Sequence, residues 1–268
     1  MIPKTIHYCW FGHNPKPEII EKCIASWRKY CPDWEIIEWN EDNWDVTRFS
    51  YAQEAYDAGK WAFVSDVARL DVLCKLGGVY LDTDVEILTE RPFDSYIDYC
   101  NVMCFENARG INTGQFFACE KGAELCRRFL EPYQKCHYTR ETQLVNTKMN
   151  EPIIRELLPN IKWNGQSQSF AVDGKRILIM GCEEYSGLMK HYGTRSWCEN
   201  LPEYSVSKDN WLKRRLRKPE RFEKLESSAF GRRILPIYTF LSYDLLDLGP
   251  VFYVKLFYNN HIRARFKP

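Results

Sequence analysis

Along the first third of the chain, apolar positions switch between two periods. TIHYCWFG, residues 5–12, reads as a short strand closed by Gly12 and the turn HNPKP. In PEIIEKCIASWRKY, Ile19, Ile20, Cys23, Ile24 and Trp27 recur at helical spacing. PDWEIIEWNED follows as a second strand with a polar end, and strand, helix, strand predicts a parallel α/β sheet. Further on, Val67, Leu70, Leu73 and Leu76 mark a helix that Gly77 and Gly78 cap. Residues 79–81 then form a short buried strand, so Asp82 and Asp84 fall just beyond its carboxyl end. NVMCFEN and QFFACE predict two more strands, residues 121–135 and 142–158 two helices, KRILIMGCEEY a late strand and HYGTRSW a loop. After Trp197 the pattern gives way to basic helices and aromatic runs, which sets a boundary near Ser207.

Composition adds few constraints. Hydrophobic residues at 45% and charged residues at 27% of 268 positions are ordinary for a globular chain. The 11 cysteines contain no CxxC pair and no zinc-type spacing. Cys9, Cys74 and Cys119 sit in apolar runs and read as small core residues. Scattered thiols without a framework favour a reducing, cytoplasmic setting. The N-terminal stretch shows no apolar leader core, and no apolar run reaches the roughly 18 residues of a membrane span.

Charge is uneven. Residues 208–268 hold 14 Lys+Arg against 6 Asp+Glu, a balance of +8 in a chain of net +1, which leaves −7 for residues 1–207. A basic, aromatic segment suits an anionic membrane surface, and equally an ordinary solvated face. No RNA-binding aromatic motif accompanies it, so nucleic acid is not expected as a partner.

The chemistry is densest in GGVYLDTDVEIL, residues 77–88. Two carboxylates two positions apart repel, and a cation between them relieves the repulsion. Oxygen ligands suit Mg²⁺ or Mn²⁺, which also bind phosphate oxygens. A bare Asp-x-Asp can also simply cap a turn, but this one follows an apolar strand and a Gly-Gly-capped helix. That helix carries Asp66 and Arg69 three apart, on one face, among Phe63, Val64 and Val67. A buried charged pair beside a carboxylate pair is a candidate functional site.

IPKTIHYCWFG, FVSDVARLDVLCKLGGVYLDTDVEI and HYGTRSW together resemble glycosyltransferase family 32, over about residues 1–200 and most densely over 61–88. The resemblance implies a GT-A-type α/β fold, a nucleotide-sugar-binding mixed sheet flanked by helices. Residues 1–207 would be the catalytic domain and 208–268 a basic, aromatic extension. It implies that Asp84 binds the metal directly and that Asp82 contacts the ribose and, indirectly, the metal. His191 stands where many enzymes of this fold place a late metal ligand, although the toxin relatives put an acidic residue nearby. Trp10 matches an aromatic that stacks on the donor base, and Asp66 and Arg69 match the pair that holds sugar hydroxyls and phosphate. Arg69 suits phosphate on chemical grounds too, because guanidinium binds it bidentately. Ser196 and Trp197 match a dipeptide contacting the β-phosphate. Asn112 resembles a residue facing the donor sugar or acceptor, and equally a turn asparagine before Gly114.

What this implies is a metal-dependent, retaining hexosyltransferase that takes its sugar from a nucleotide donor, UDP-sugar favoured. The acceptor would be a glycan or lipid-linked oligosaccharide of a capsule or cell surface. The enzyme would be cytoplasmic, peripheral on the inner membrane face, and use Mn²⁺ or Mg²⁺. Glu106 and Asp173 are the candidates for a carboxylate nucleophile; same-face departure and attack needs neither and is the expected route. Two other readings stay open: a binding module for nucleotide sugar or glycan without turnover, and a metal-dependent phosphohydrolase. The latter usually supplies more His ligands than a chain with five His offers.

Overall fold

A computed structural model describes residues 1–107, 110–139 and 146–193. In chain order the elements begin with β1 (Thr5–Cys9), α1 (Glu18–Tyr30), β2 (Glu35–Trp39), a 3₁₀ turn (Val46–Arg48) and α2 (Ser50–Asp57). Next come α3 (Trp61–Leu76), β3 (Gly78–Tyr80), β4 (Val85–Ile87), β5 (Asn101–Asn107), β6 (Gly110–Ile111) and β7 (Phe117–Cys119). Then follow α4 (Glu124–Lys135), α5 (Asn146–Leu157), β8 (Gln168–Val172), β9 (Lys175–Met180), α6 (Cys182–Leu188) and β10 (Met189–His191).

Among the described residues, eight strands form one mixed sheet in the order β2-β1-β3-β7-β5-β9-β8, with β6 paired to β5. β1 runs parallel to both β2 and β3, while β7 lies antiparallel between β3 and β5. β9 is parallel to β5 and β8 antiparallel to β9. The strands β1, β2, β3, β5 and β9 therefore share one direction, and their carboxyl ends share one edge. The parallel sheet expected from the first strand-helix-strand unit holds locally. The short connection from β7, and the β8–β9 hairpin, make the whole sheet mixed.

Residues along each strand alternate between two cores, as period-two geometry demands. Cys9, Tyr80, Met103, Phe105, Ile177 and Ile179 face a core shared with α2, α3, α4 and α5. Ile6, Tyr8, Val79, Leu81, Val102, Cys104, Leu178 and Met180 face the other, under α1 and α6. The result is a three-layer helix–sheet–helix arrangement. Among the described residues no helix is long and apolar enough to cross a membrane.

Three expectations need correction. The late strand ends at Met180: Gly181 has extended backbone (φ −73°, ψ 162°), and Cys182 to Leu188 coil into α6, with Glu183 and Glu184 at its positive end. His191 is not in a loop but closes β10, paired antiparallel with β4. The helix expected from residue 121 starts at Glu124, because the chain turns through Gly122 at φ +72°.

Candidate active site

α3 and β3 are joined by a two-glycine turn that no other residue type fits. Gly77 has φ +71° and Gly78 φ +111°, both in the left-handed region. A Cβ on Gly78 would lie 2.7 Å from the Thr5 carbonyl oxygen and 2.8 Å from His7 Nε2. His7 Nε2 stands 2.9 Å from the Gly77 carbonyl, and Trp39 Nε1 donates to His7 Nδ1 at 3.1 Å. Nδ1 accepts, so Nε2 carries the proton and donates to Gly77. This chain of contacts fixes where β3 begins, and hence where Asp82 emerges two residues past its end.

Asp82 is held from both sides. Its backbone N–H donates to the Gly114 carbonyl at 2.9 Å, and Tyr80 Oη donates to its Oδ1 at 3.2 Å. Arg69 Nη2 stands 3.4 Å from the same oxygen and 2.9 Å from Asp66 Oδ1. The guanidinium lies 4.6 Å above the Tyr80 ring, a cation–π contact, and its Nε donates to the Ser65 carbonyl. Burial opposes its charge, but Tyr80, Asp82 and Asp66 hold it cationic. Among the described residues, buried Arg69 Nη1 has no hydrogen-bond partner. A buried charged donor left unpaired is costly unless a ligand completes it.

Asp84 and His191 meet through the small β4–β10 sheet. Trp27 Nε1 donates to the Val85 carbonyl at 2.7 Å, and Ile87 N–H donates to Ser26 Oγ at 2.9 Å, which pins β4 to α1. The His191–Val85 register and a bond from Tyr192 N–H to the Asp84 carbonyl (3.0 Å) bring the imidazole to the carboxylate. Nε2 of His191 is 3.2 Å from Asp84 Oδ1. Asp82, Asp84 and His191 each offer a ligand atom, and these atoms all lie within 4.8 Å of one another. Burial disfavours an imidazolium here, yet the Asp84 carboxylate outweighs it and raises the His191 pKa to about 9. The cluster draws positive charge to itself. Two hard carboxylate oxygens and one imidazole nitrogen fit Mn²⁺ or Mg²⁺.

The sequence-expected residues separate as follows. Asp66, Arg69, Asp82, Asp84 and His191 come together at the carboxyl edge of the sheet. Trp10 follows β1, the strand beside β3, and so stands on the same edge; it is half-buried, with Nε1 donating to the Asn14 carbonyl and Lys16 Nζ 5.7 Å from its ring centroid. Asn112 Oδ1 accepts from Gly114 N–H at 2.8 Å, which is the turn role. Glu106 lies at the end of β5, near enough to act on His191, whereas Asp173 occupies the tip of the β8–β9 hairpin at φ +49°. Ser196, Trp197 and the 208–268 extension lie outside the described residues.

Several contributors escaped the sequence reading. Asn146 Nδ2 donates to Asp66 Oδ1 at 2.9 Å, and Asn150 Nδ2 to Thr113 Oγ1 at 3.0 Å. Their i,i+4 spacing places both on one face of α5, which a helical-period reading of the polar residues would have revealed. A Cβ on Gly114 would fall 2.3 Å from Arg69 Nη1 and 2.5 Å from Asp82 Oδ2, so the turn must be glycine for these groups to share the space. Burial lifts the Asp66 pKa to about 6, against the pull of Arg69. Tyr133 and Tyr185 each bury a hydroxyl that has no hydrogen-bond partner among the described residues; the latter is close enough to Asp84 and Asp82 to feel their charge.

Residues 17–102 match the family described as the glycosyltransferase sugar-binding region containing a DXD motif. Asp82-Thr83-Asp84 is the only Asp-x-Asp triplet in that segment. Among curated proteins, the chain is 23% identical over 172 residues to Subversion of eukaryotic traffic protein A of Legionella pneumophila, covering 53% of this chain and 26% of that protein. It is 32% identical over 106 residues to Inositol phosphoceramide mannosyltransferase 3 of Schizosaccharomyces pombe, covering 37% and 28%. The chain thus spans about a quarter of the length of these relatives. Among solved structures, the PaToxG glycosyltransferase aligns with a TM-score of 0.47 at 18% identity, over 59% of this chain and 70% of that one.

Proposed function

We propose that the chain is a metal-dependent glycosyltransferase of the GT-A type, akin to family 32, which transfers a hexose from a nucleoside-diphosphate sugar to a glycan acceptor. The observation that carries the reading is the Asp82–Asp84–His191 cluster set beside a buried Arg69 whose Nη1 has no hydrogen-bond partner among the described residues. Diphosphate and sugar hydroxyls are the acceptors such a donor awaits, and the acidic cluster cannot hold a diphosphate without a cation. The match of residues 17–102 to a DXD-containing sugar-binding region supports the same conclusion.

Asp84 and His191 would hold the cation directly, with Asp82 beside it. When bound, Mn²⁺ or Mg²⁺ supplies charge stabilisation to the departing diphosphate. Arg69, kept cationic by Asp66 and Asp82, binds phosphate or a sugar hydroxyl through Nη1. Asp66 and Asn146 accept from sugar hydroxyls, and Trp10 offers a ring face for the base. Retention by same-face departure and attack, with the leaving phosphate taking the acceptor proton, requires no protein nucleophile. UDP is the favoured nucleotide carrier. A lipid-linked acceptor for a capsular or surface glycan at a membrane face is suggested by the basic, aromatic sequence of 208–268. The test is to incubate the purified chain with Mn²⁺ and a panel of nucleotide sugars and follow release of nucleoside diphosphate. Slow hydrolysis of one donor, abolished by chelation, is the expected result; turnover of simple phosphomonoesters but of no nucleotide sugar would point to a phosphohydrolase.

A further inference from the structure

Away from this site, three thiols meet where α3, β7 and α4 pack. Cys74 Sγ lies 3.0 Å from Cys126 Sγ. Cys119 lies beside Cys126, and these two face the Leu73 and Leu70 carbonyls at 3.8 and 3.4 Å. All three are free thiols. Cys119 and Cys126 are fully buried, whereas Cys74, in the last turn of α3, is half-buried and reachable from solvent. None of them has a part in the transfer chemistry. Thiols are weak hydrogen-bonding groups, so the contact contributes little as it stands. It does place the two sulfurs where a bond between them requires only a small movement.

We propose that Cys74 and Cys126 form a reversible oxidation site at which a hydroperoxide converts the two thiols into a disulfide that staples α3 to α4. The more accessible Cys74 sulfur takes the terminal oxygen of the hydroperoxide, giving a sulfenic acid and releasing the alcohol, or water from hydrogen peroxide. Cys126 then attacks the Cys74 sulfur: the S–S bond forms, the S–O bond breaks, and the hydroxyl leaves as water with the Cys126 proton. The two thiols lose two electrons and two protons, and the peroxide is reduced. Cys126 waits in contact, so closure outruns further oxidation of Cys74 to the sulfinic acid. Burial and the neighbouring thiols push the Cys126 thiol well up, which leaves Cys74 as the sulfur that meets the oxidant. The closed ring spans residues 74–126 and encloses Asp82, Asp84, Asn112 and Gly114, so the link restrains in the unfolded chain the segment that carries both aspartates of the site.

Sequence makes the test clean. Trypsin releases Cys74 in LDVLCK (residues 70–75) and Cys126 in GAELCR (122–127), each with one cysteine. The full chain is reduced, desalted, exposed to hydrogen peroxide, capped with iodoacetamide, digested and weighed. The expected product is the two peptides joined with loss of two hydrogens, absent after dithiothreitol, together with a higher thermal midpoint for the oxidised chain. Cys119→Ser should keep the link. Cys126→Ser should lose both the link and the midpoint rise, with Cys74 accumulating as sulfinic acid. Recovery of both native peptides capped and unlinked, or links scattered among the other cysteines, would overturn the proposal whether or not the Cys126 variant folds.

Discussion

Acidification should weaken the fold through His7, and the structure sets both sign and size. The ring is completely buried, accepts a hydrogen bond from Trp39 Nε1 at Nδ1 and donates one from Nε2 to the Gly77 carbonyl. A second proton would have to displace the Trp39 bond. Burial outweighs the Gly77 bond and lowers the pKa from 6.5 to about 4. The unfolded chain therefore binds more protons than the folded one between these values, so stability falls as pH drops from about 6.5 towards 4 and loses no more below. The full shift is worth about 3 kcal/mol, at about 1.4 kcal/mol per unit, and about 2 kcal/mol of it is gone at pH 5. Asp66, raised to about 6, gains stability as pH falls from about 6 towards 4, whereas His191, raised to about 9, gains it between about 9 and 6.5 and adds little below. The test is accordingly a difference: urea denaturation of the native chain and His7→Gln, read by tryptophan fluorescence at pH 7.5 and 5.0. Native stability relative to the variant should shrink by about 2 kcal/mol on acidification. A gap that stays constant would refute the buried neutral His7 and its role in locking the Gly77–Gly78 turn.

Arg69→Met strips Asp66 and Asp82 of their cation and should cost about 3–5 kcal/mol in denaturant unfolding, while Asp66→Asn added to it should recover part of that loss. Gly114→Ala forces a methyl among Arg69, Asp82 and Asn112; stability should fall by about 1–3 kcal/mol, and calorimetry should show weaker donor binding than in the native chain. Trp10→Ala should weaken nucleoside-diphosphate binding by about 1–3 kcal/mol in calorimetry if the ring stacks on the base, and unchanged affinity would return Trp10 to packing.

Much of this architecture could be read from periodicity. The β1–α1–β2 unit, α3 and its glycine cap, and β5 are all marked by apolar spacing, because each buries one face against a layer of the core. The Asp-x-Asp pair was legible because it ends a strand at the sheet edge. What the sequence concealed depends on contacts between distant segments. The β4 and β10 strands have three residues each, too few to show a period, and they exist because α1 pins one and the other pairs with it. His191 meets Asp84 only through that pairing. β8 was missed because its residues alternate between half-buried and exposed rather than apolar and polar. Gly114 looked like a turn glycine, and nothing local in the sequence shows that Arg69 and Asp82 crowd its missing side chain.

The most direct test of the central claim is calorimetric titration of a nucleoside diphosphate, UDP first, into the native chain and Asp84→Ala, with and without Mn²⁺. Binding by the native chain that requires Mn²⁺ and disappears in a folded Asp84→Ala variant is the result this account predicts. Equal affinity with and without Mn²⁺, or full affinity in the Asp84→Ala variant, would contradict it.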